Sequence, residues 1–274
     1  MIYLCTQGGL GNQLFQVAYA LKLSKVHGQQ IKLVNDHLNP RRGGDTRERV
    51  LEYLGFSFPK IDISLPKSKM VRSFYVKHWC SKLYYVDDDT PAPQIQGDYD
   101  LILDGFFQWP AEIEEVKNDV VKVLRAKLEA LEIPQKSANH VAIHIRRGDY
   151  ITDKAASESH GFLGLEYYLD AIKILRENIE QPTFDIYTDD SEWVRDNILP
   201  IVPVNIVSER IADANLEFLS MFSYKNFIIA NSTFSWWAPW LNCFDEKPLV
   251  VCPKNWYGNG SFSMLNNEES WFCV

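Results

Sequence analysis

The chain has 274 residues, 46% hydrophobic and 23% charged, a globular composition long enough for one large α/β domain or two lobes that each bury a core. A formal net charge of −8 gives no footprint for nucleic acid, and the short pair Arg41-Arg42 reads as a solvated loop. Five cysteines (Cys5, Cys80, Cys243, Cys252, Cys273), odd in number and without CxxC spacing, indicate neither a disulfide framework nor a thiolate zinc site.

In chain order, a short apolar strand at residues 2–5 is followed by the loop 6–11 and a helix beginning near Asn12. Leu14, Val17, Ala18 and Leu21 form its core stripe at i, i+3, i+4 and i+7, and residues 31–34 read as a second strand. That is the start of a Rossmann-like unit. Between Pro40 and Pro93 no clean period emerges. Residues 101–103 read as a strand running into Gly105-Phe106-Phe107-Gln108-Trp109. A long helix follows, with Ile113, Val116, Val120, Leu124, Leu128 and Leu131 on one face.

Pro134 and the small polar residues up to Asn139 mark a boundary, giving lobes 1–135 and 136–274. Beyond it, strands at 141–145, 184–187, 204–207, 227–230 and 249–252 alternate with helical or turn-bounded stretches. Short apolar strands separated by helices imply a parallel sheet covered on both faces. The expected fold is therefore α/β, with two Rossmann-like lobes facing across a cleft. No apolar stretch reaches the ~18–20 residues needed to cross a bilayer, and Met1 leads straight into a strand without a signal-peptide pattern. A cytoplasmic protein is expected, with peripheral attachment to the inner face of the cell membrane left open.

Each distinctive polar motif of the second half comes directly after a strand: His144-Ile145-Arg146-Arg147-Gly148-Asp149-Tyr150, Thr188-Asp189-Asp190, and Asn231-Ser232-Thr233-Phe234-Ser235-Trp236-Trp237. In open parallel sheets ligands bind outside the carboxyl ends of the strands, so these motifs should converge. The turn Gly8-Gly9-Leu10-Gly11-Asn12-Gln13 offers backbone N–H groups and a helix N-terminus in the first lobe. Leu14 stands where a third glycine would complete a dinucleotide fingerprint, and no GK[ST] follows for a P-loop. A guanidinium holds phosphate oxygens bidentately, and Ser232, Thr233 and Ser235 can add hydroxyls, so the set suits a nucleotide diphosphate.

Those motifs, extended through Leu14-Phe15-Gln16 and joined by Gly164-Leu165-Glu166-Tyr167-Tyr168 and Tyr187, resemble the α-1,2-fucosyltransferase family of bacteria and animals. The resemblance implies a GT-B fold, GDP-β-L-fucose as donor, inversion to an α-1,2 linkage on a galactose-containing glycan, and no required metal or cofactor. The glycine turn and His-x-Arg motif also look like those of α-1,6- and protein O-fucosyltransferases. The second lobe would bind GDP-fucose and the first would serve the acceptor.

Arg146 is the principal catalytic candidate, holding the β-phosphate as charge grows on departing GDP. Arg147 either contacts the donor or pairs with Asp149 or another acid to shape the loop. His144 points to the same side of the strand as Arg146; the resemblance makes it a donor contact, against a core histidine. Asn12 either caps the first helix or meets fucose or the incoming hydroxyl. Gly9 and Gly11 belong to the donor set, with Ser232, Thr233, Phe234 and Ser235. Asp189 is expected to contact the nucleoside and Asp190 to cap the helix through Trp193. Phe107 and Trp109, with Phe106, form either an acceptor platform or core packing; Trp236 and Trp237 read as core. Asp149 is one possible general base, while Asp153, Glu158 and His160 are further possibilities for acceptor contact. Two rival readings are a manganese-dependent GT-A enzyme using Asp87-Asp88-Asp89, otherwise a solvated loop with no strand before it, and a non-catalytic carbohydrate-binding protein.

Overall fold

The computed structural model describes residues 1–35, 45–62, 68–79, 82–89, 99–148, 161–211, 213–241, 247–257 and 270–274. The chain divides into two compact units, Met1–Ala126 and Lys127–Val274.

The first unit is built on a five-stranded parallel sheet of β1 (Ile2–Leu4), β2 (Ile31–Asn35), β3 (Lys60–Asp62), β4 (Leu83–Val86) and β5 (Asp100–Leu103). Their order is β3-β2-β1-β5-β4, so the chain runs outward from β1 in one direction and then returns on its other side. The switch in direction lies between β1 and β5. Helices α1 (Leu10–His27), α2 (Asp45–Leu54) and α3 (Lys69–Trp79) connect the strands. α1 starts at Leu10, two residues before the expected start near Asn12, and it is buried from Gln13 to Ala20 on all sides rather than along one face. It ends at Gly28, whose left-handed backbone (φ 64°) lets its N–H reach Ser24 O.

The long helix expected over 113–131 is broken. Pro110–Ile113 forms a single turn, α4, Glu114–Val116 is a 3₁₀ turn, and α5 runs over Lys117–Ala130. Ile113, Val116, Val120 and Leu124 are buried as the period predicts, whereas Leu131 lies beyond the helix and is exposed.

The second unit carries a six-stranded parallel sheet: β6 (His140–Ile145), β7 (Thr183–Thr188), β8 (Asn205–Ile206), β9 (Asn226–Ile228), β10 (Leu249–Cys252) and β11 (Phe272–Cys273). The order is β11-β10-β9-β6-β7-β8. Here the switch point lies between β6 and β9, and the three strands followed by polar motifs, β9, β6 and β7, are neighbours. Helices α6 (Leu165–Asn178), α7 (Ser191–Asn197), α8 (Ala214–Met221) and α9 (Thr233–Leu241) complete the unit. Its core joins Val141, Ile143, Ile145, Phe184, Ile186, Ile228 and Val251 to Tyr168, Ile172 and Leu175 of α6. Trp236 and Trp237 are fully buried, as expected. At the amino end of this sheet Asp185 accepts hydrogen bonds from Asn205 and Tyr224 and pairs with His140. Burial opposes its ionisation, but the Asn205, His140 and Tyr224 bonds win and hold its carboxyl below the usual range.

Candidate active site

In the first unit the glycine turn leaves β1 and enters α1 at the β1/β5 switch. Gly8 has φ 78°, the left-handed region that favours glycine, and a Cβ there would also displace the Asn12 amide, whose Nδ2 would lie 2.5 Å away. Gln13 Nε2 donates to Gly8 O at 3.2 Å. Gln16, fully buried, accepts from Gln7 N and donates to Gln7 O, both at 3.0 Å. Two glutamines one turn apart in α1 thus fix the loop that precedes it. The N-cap is Gly9, without a side-chain cap bond, so Asn12 is the third helical residue and its capping role is overturned. Its Oδ1 instead accepts from Gln108 Nε2 at 3.0 Å, across the switch point. Gln108 had no assigned role in the sequence, and no local signal could have paired residues 96 positions apart.

The Asp87–Asp89 reading needs correction. Strand β4 leads directly into it, Asp87 is buried, and Asp88 accepts from Phe106 N at 2.9 Å and Phe107 N at 2.7 Å. Asp88 therefore holds the loop after β5, offsetting the positive φ of 52° at Phe107. That conformation turns the Phe107 ring inward, where it is fully buried and stacks on Tyr19 at 4.6 Å. It has no face to offer a sugar. Trp109 is partly buried, edge-on to Tyr19 and Phe107, while Phe106 is the exposed ring of the segment.

In the second unit the β6/β7 register pairs His144 with Tyr187 and Ile145 with Thr188. Continued past the strand ends, it sets Arg146 opposite Asp189 and Arg147 opposite Asp190. Arg146 Nη1 lies 2.9 Å from Asp189 Oδ2, and Arg147 N donates to Asp189 Oδ1 at 2.8 Å. The Asp189 carboxylate thus braces the arginine turn. A Cβ on Gly148 would stand 3.0 Å from the same carboxylate. Arg147 Nε pairs with Asp190 Oδ2 at 3.2 Å, and its guanidinium lies 4.1 Å from the centre of the Trp193 ring. Of the alternatives for Arg147, the geometry supports loop shaping, with Asp190 as the acid. Asp190 Oδ1 also caps α7 by accepting from Trp193 N at 3.0 Å, as expected.

Arg146 retains 36% side-chain exposure. His144 behind it is buried, its ring stacked on Phe234 at 5.2 Å, which ties β6 to the start of α9 across the switch point. Burial, and secondarily the Arg146 charge, push its pKa down to about 3, so the imidazole is neutral near pH 7. Its Nδ1 is buried without a hydrogen-bond partner. Ser232 Oγ accepts from Phe234 N at 3.3 Å, a cap bond that leaves the positive end of the α9 dipole at this corner. Thr233 and Phe234 are partly exposed, but Ser235 is fully buried with its hydroxyl on Ser232 O and Ala230 O. That bonding removes Ser235 from the phosphate set. Asn231 Nδ2 secures the turn by donating to Trp256 O at 3.1 Å. Asp149, Asp153, Glu158 and His160 lie outside the described residues.

A neutral amide-and-glycine turn in one unit and a fixed, partly exposed arginine beside a helix N-terminus in the other can serve a hydroxyl-bearing ligand and an anion, respectively. Two Escherichia coli proteins align end to end. The O-antigen biosynthesis glycosyltransferase WbnK is 26% identical over 98% of this chain and 99% of its own. An α-1,2-colitosyltransferase is 28% identical over 97% and 96%. Among solved structures, the fucosyltransferase NodZ from Bradyrhizobium superposes with a TM-score of 0.52 at 14% identity, over 86% of this chain and 91% of NodZ. NodZ α-1,6-fucosyltransferase soaked with GDP-fucose gives 0.54 at 15% identity, over 88% and 91%. The fold is thus the GT-B fold of these fucosyltransferases. The model of glycosyl transferase family 11 matches residues 45–272, and the chain, a glycosyltransferase, belongs to that family.

Proposed function

We propose that the protein transfers L-fucose from GDP-β-L-fucose to O-2 of a galactose in a glycan acceptor, with inversion and without a metal ion. The observation that carries this reading is Arg146, held at the end of β6 by Asp189 beside the α9 N-terminus. A diphosphate leaving group gains negative charge as the glycosidic bond breaks, and a guanidinium fork with a helix dipole meets that charge at little reorganisation cost. These groups supply the positive field that a cation supplies in metal-dependent transferases, so transfer should survive excess chelator. Neutral His144 packs behind Arg146 and adds no charge of its own near pH 7. In the first unit, Asn12 and the Gly9 and Gly11 backbone suit fucose or the incoming hydroxyl. The NodZ protein soaked with GDP-fucose and the O-antigen role of WbnK support a nucleotide-sugar donor and a glycan acceptor.

A second reading is favoured by the colitosyltransferase relative: the donor sugar could be colitose, a fucose without its 3-hydroxyl. The test is turnover with GDP-fucose, GDP-colitose and UDP- or CMP-sugars on a panel of galactosides, in chelator, with linkage determined by mass spectrometry. GDP-fucose should give an α-1,2-fucosylated galactoside. Faster transfer from GDP-colitose would select the second reading, and transfer only from UDP- or CMP-sugars, or only with manganese, would overturn both.

A further inference from the structure

The first unit carries an apolar helix face that its own sheet leaves uncovered. Along α3, Arg72 and Val76, one turn apart, are buried. Arg72 is fixed from within by Asp104 Oδ2, 2.8 Å from its Nε, and this ion pair sets the rotation of the helix on its sheet. The opposite side then presents Met70, Val71 and Phe74, which are 79%, 48% and 58% exposed. Met70 is the most exposed large apolar side chain among the described residues, and Phe74 stands one turn from it. Burial of an ion pair inside and of methionine and phenylalanine nowhere inverts the usual economy of a surface helix.

The charge around this face is also inverted. Apart from the buried, paired Arg72, the sequence from Ile63 to Val86 holds Lys67, Lys69, Lys77 and Lys82 and no Asp or Glu, in a chain whose net charge is −8. A second copy docking face to face would set this cationic stretch against itself. A helix with exposed apolar side chains inside a basic, acid-free stretch instead matches an anionic lipid surface, where the apolar side chains enter the headgroup boundary and lysines meet lipid phosphates. The acidic remainder of the protein would be repelled by the same surface, which fixes which face docks.

We propose that the α3 face of Met70, Val71 and Phe74 is a peripheral docking surface for anionic phospholipid bilayers. It is independent of the donor assignment, since it uses none of the residues placed at either switch point. The experiment is flotation of the full chain with vesicles of phosphatidylcholine alone or with phosphatidylglycerol added. Binding should require phosphatidylglycerol and weaken as salt is raised, because screened lysines lose their attraction. Met70→Ser/Val71→Ser/Phe74→Ser should reduce binding roughly 10-fold or more, since the helix then has polar groups in place of its inserted side chains. The same variant should keep the far-ultraviolet circular dichroism and cooperative melting of the parent chain, which separates a lost surface from a lost fold. Absence of binding to anionic vesicles, or undiminished binding by the folded triple variant, would overturn the proposal. So would a solution dimer of the parent chain that the triple substitution dissolves, an outcome that assigns the face to a second copy. Should the triple variant fail to fold, salt titration of the parent chain on both vesicle types still decides the matter, because binding insensitive to phosphatidylglycerol and salt contradicts it.

Discussion

The two units each place a parallel sheet with a central switch in chain direction behind their loops, but the second fills its far side outward from β9 while the first reaches the edge strand β4 before β5, and the two sheets end in different chemistry. At the β1/β5 switch the contacts run from amides to carbonyls and to one another: Gln13 to Gly8, Gln16 to Gln7, Gln108 to Asn12. At the carboxyl ends of β6 and β7, beside the β6/β9 switch, they are ionic, two consecutive arginines locked to two consecutive aspartates. An amide reads a hydroxyl without the cost of desolvating a charge, whereas a diphosphate needs a formal positive charge aimed at it. Each parallel sheet thus supplies a place to bind, and the side chains at each decide what kind of group it suits.

Arg146→Lys is the most severe way to break that contrast, because it keeps the charge and removes the planar fork. A lysine ammonium offers a shorter, differently directed contact to the β-phosphate. Turnover should fall roughly 10²-fold or more, ~2.7 kcal/mol and upward, with donor affinity changed less. Steady-state kcat and KM for GDP-fucose check this, with circular dichroism confirming the fold; near-normal turnover removes Arg146 from the mechanism.

Gln16→Ala tests the neutral side. It deletes a fully buried amide that makes two hydrogen bonds to Gln7, leaving both backbone groups to find other partners, so stability should drop by about 2 kcal/mol. Thermal denaturation reads the loss. A melting temperature unchanged within a degree would mean that the turn does not depend on its glutamine ties.

Asp189→Asn sharpens the charged side. The amide can still accept from Arg147 N, but the ion pair to Arg146 is lost. With that tie gone Arg146 is less firmly oriented, and turnover should fall roughly 10-fold, about 1.4 kcal/mol, with GDP affinity little altered. A loss of GDP affinity at constant kcat would instead favour the nucleoside contact that the sequence suggested.

Much of this was legible before the structure. The apolar strands of the second sheet, the motifs at their ends and the Asp190 cap follow from periodicity and from side-chain capping, both local properties. What escaped was set by distant partners. β3 and β4 are outer strands of three and four residues, too short for a two-residue period to stand out, so pairing with β2 and β5 defines them. Asp88 looked solvated until the backbone of Phe106 and Phe107 came to meet it, and that meeting is what buries Phe107. Ser235 looked like a ligand hydroxyl because sequence does not show that carbonyls of its own turn claim it.

His144 gives the smallest effect and tests whether the charged switch point rests on a neutral ring. Its folded pKa of about 3 lies far below the ~6.5 of an unfolded histidine, so between those values the unfolded chain binds the extra proton. Stability therefore rises with pH through this window: the contribution of His144 is present above ~6.5 and is lost as pH falls toward 3. Between pH 7 and pH 6 the loss from this group should stay under about 1 kcal/mol, because only part of the unfolded population is protonated there. His144→Phe keeps a ring to stack on Phe234 and cannot titrate. Its melting temperature should fall less steeply with pH than that of the parent chain between pH 7 and pH 5. Parallel slopes would mean that the imidazole carries its proton in the folded protein, and the corner beside Arg146 would then hold two positive charges rather than one.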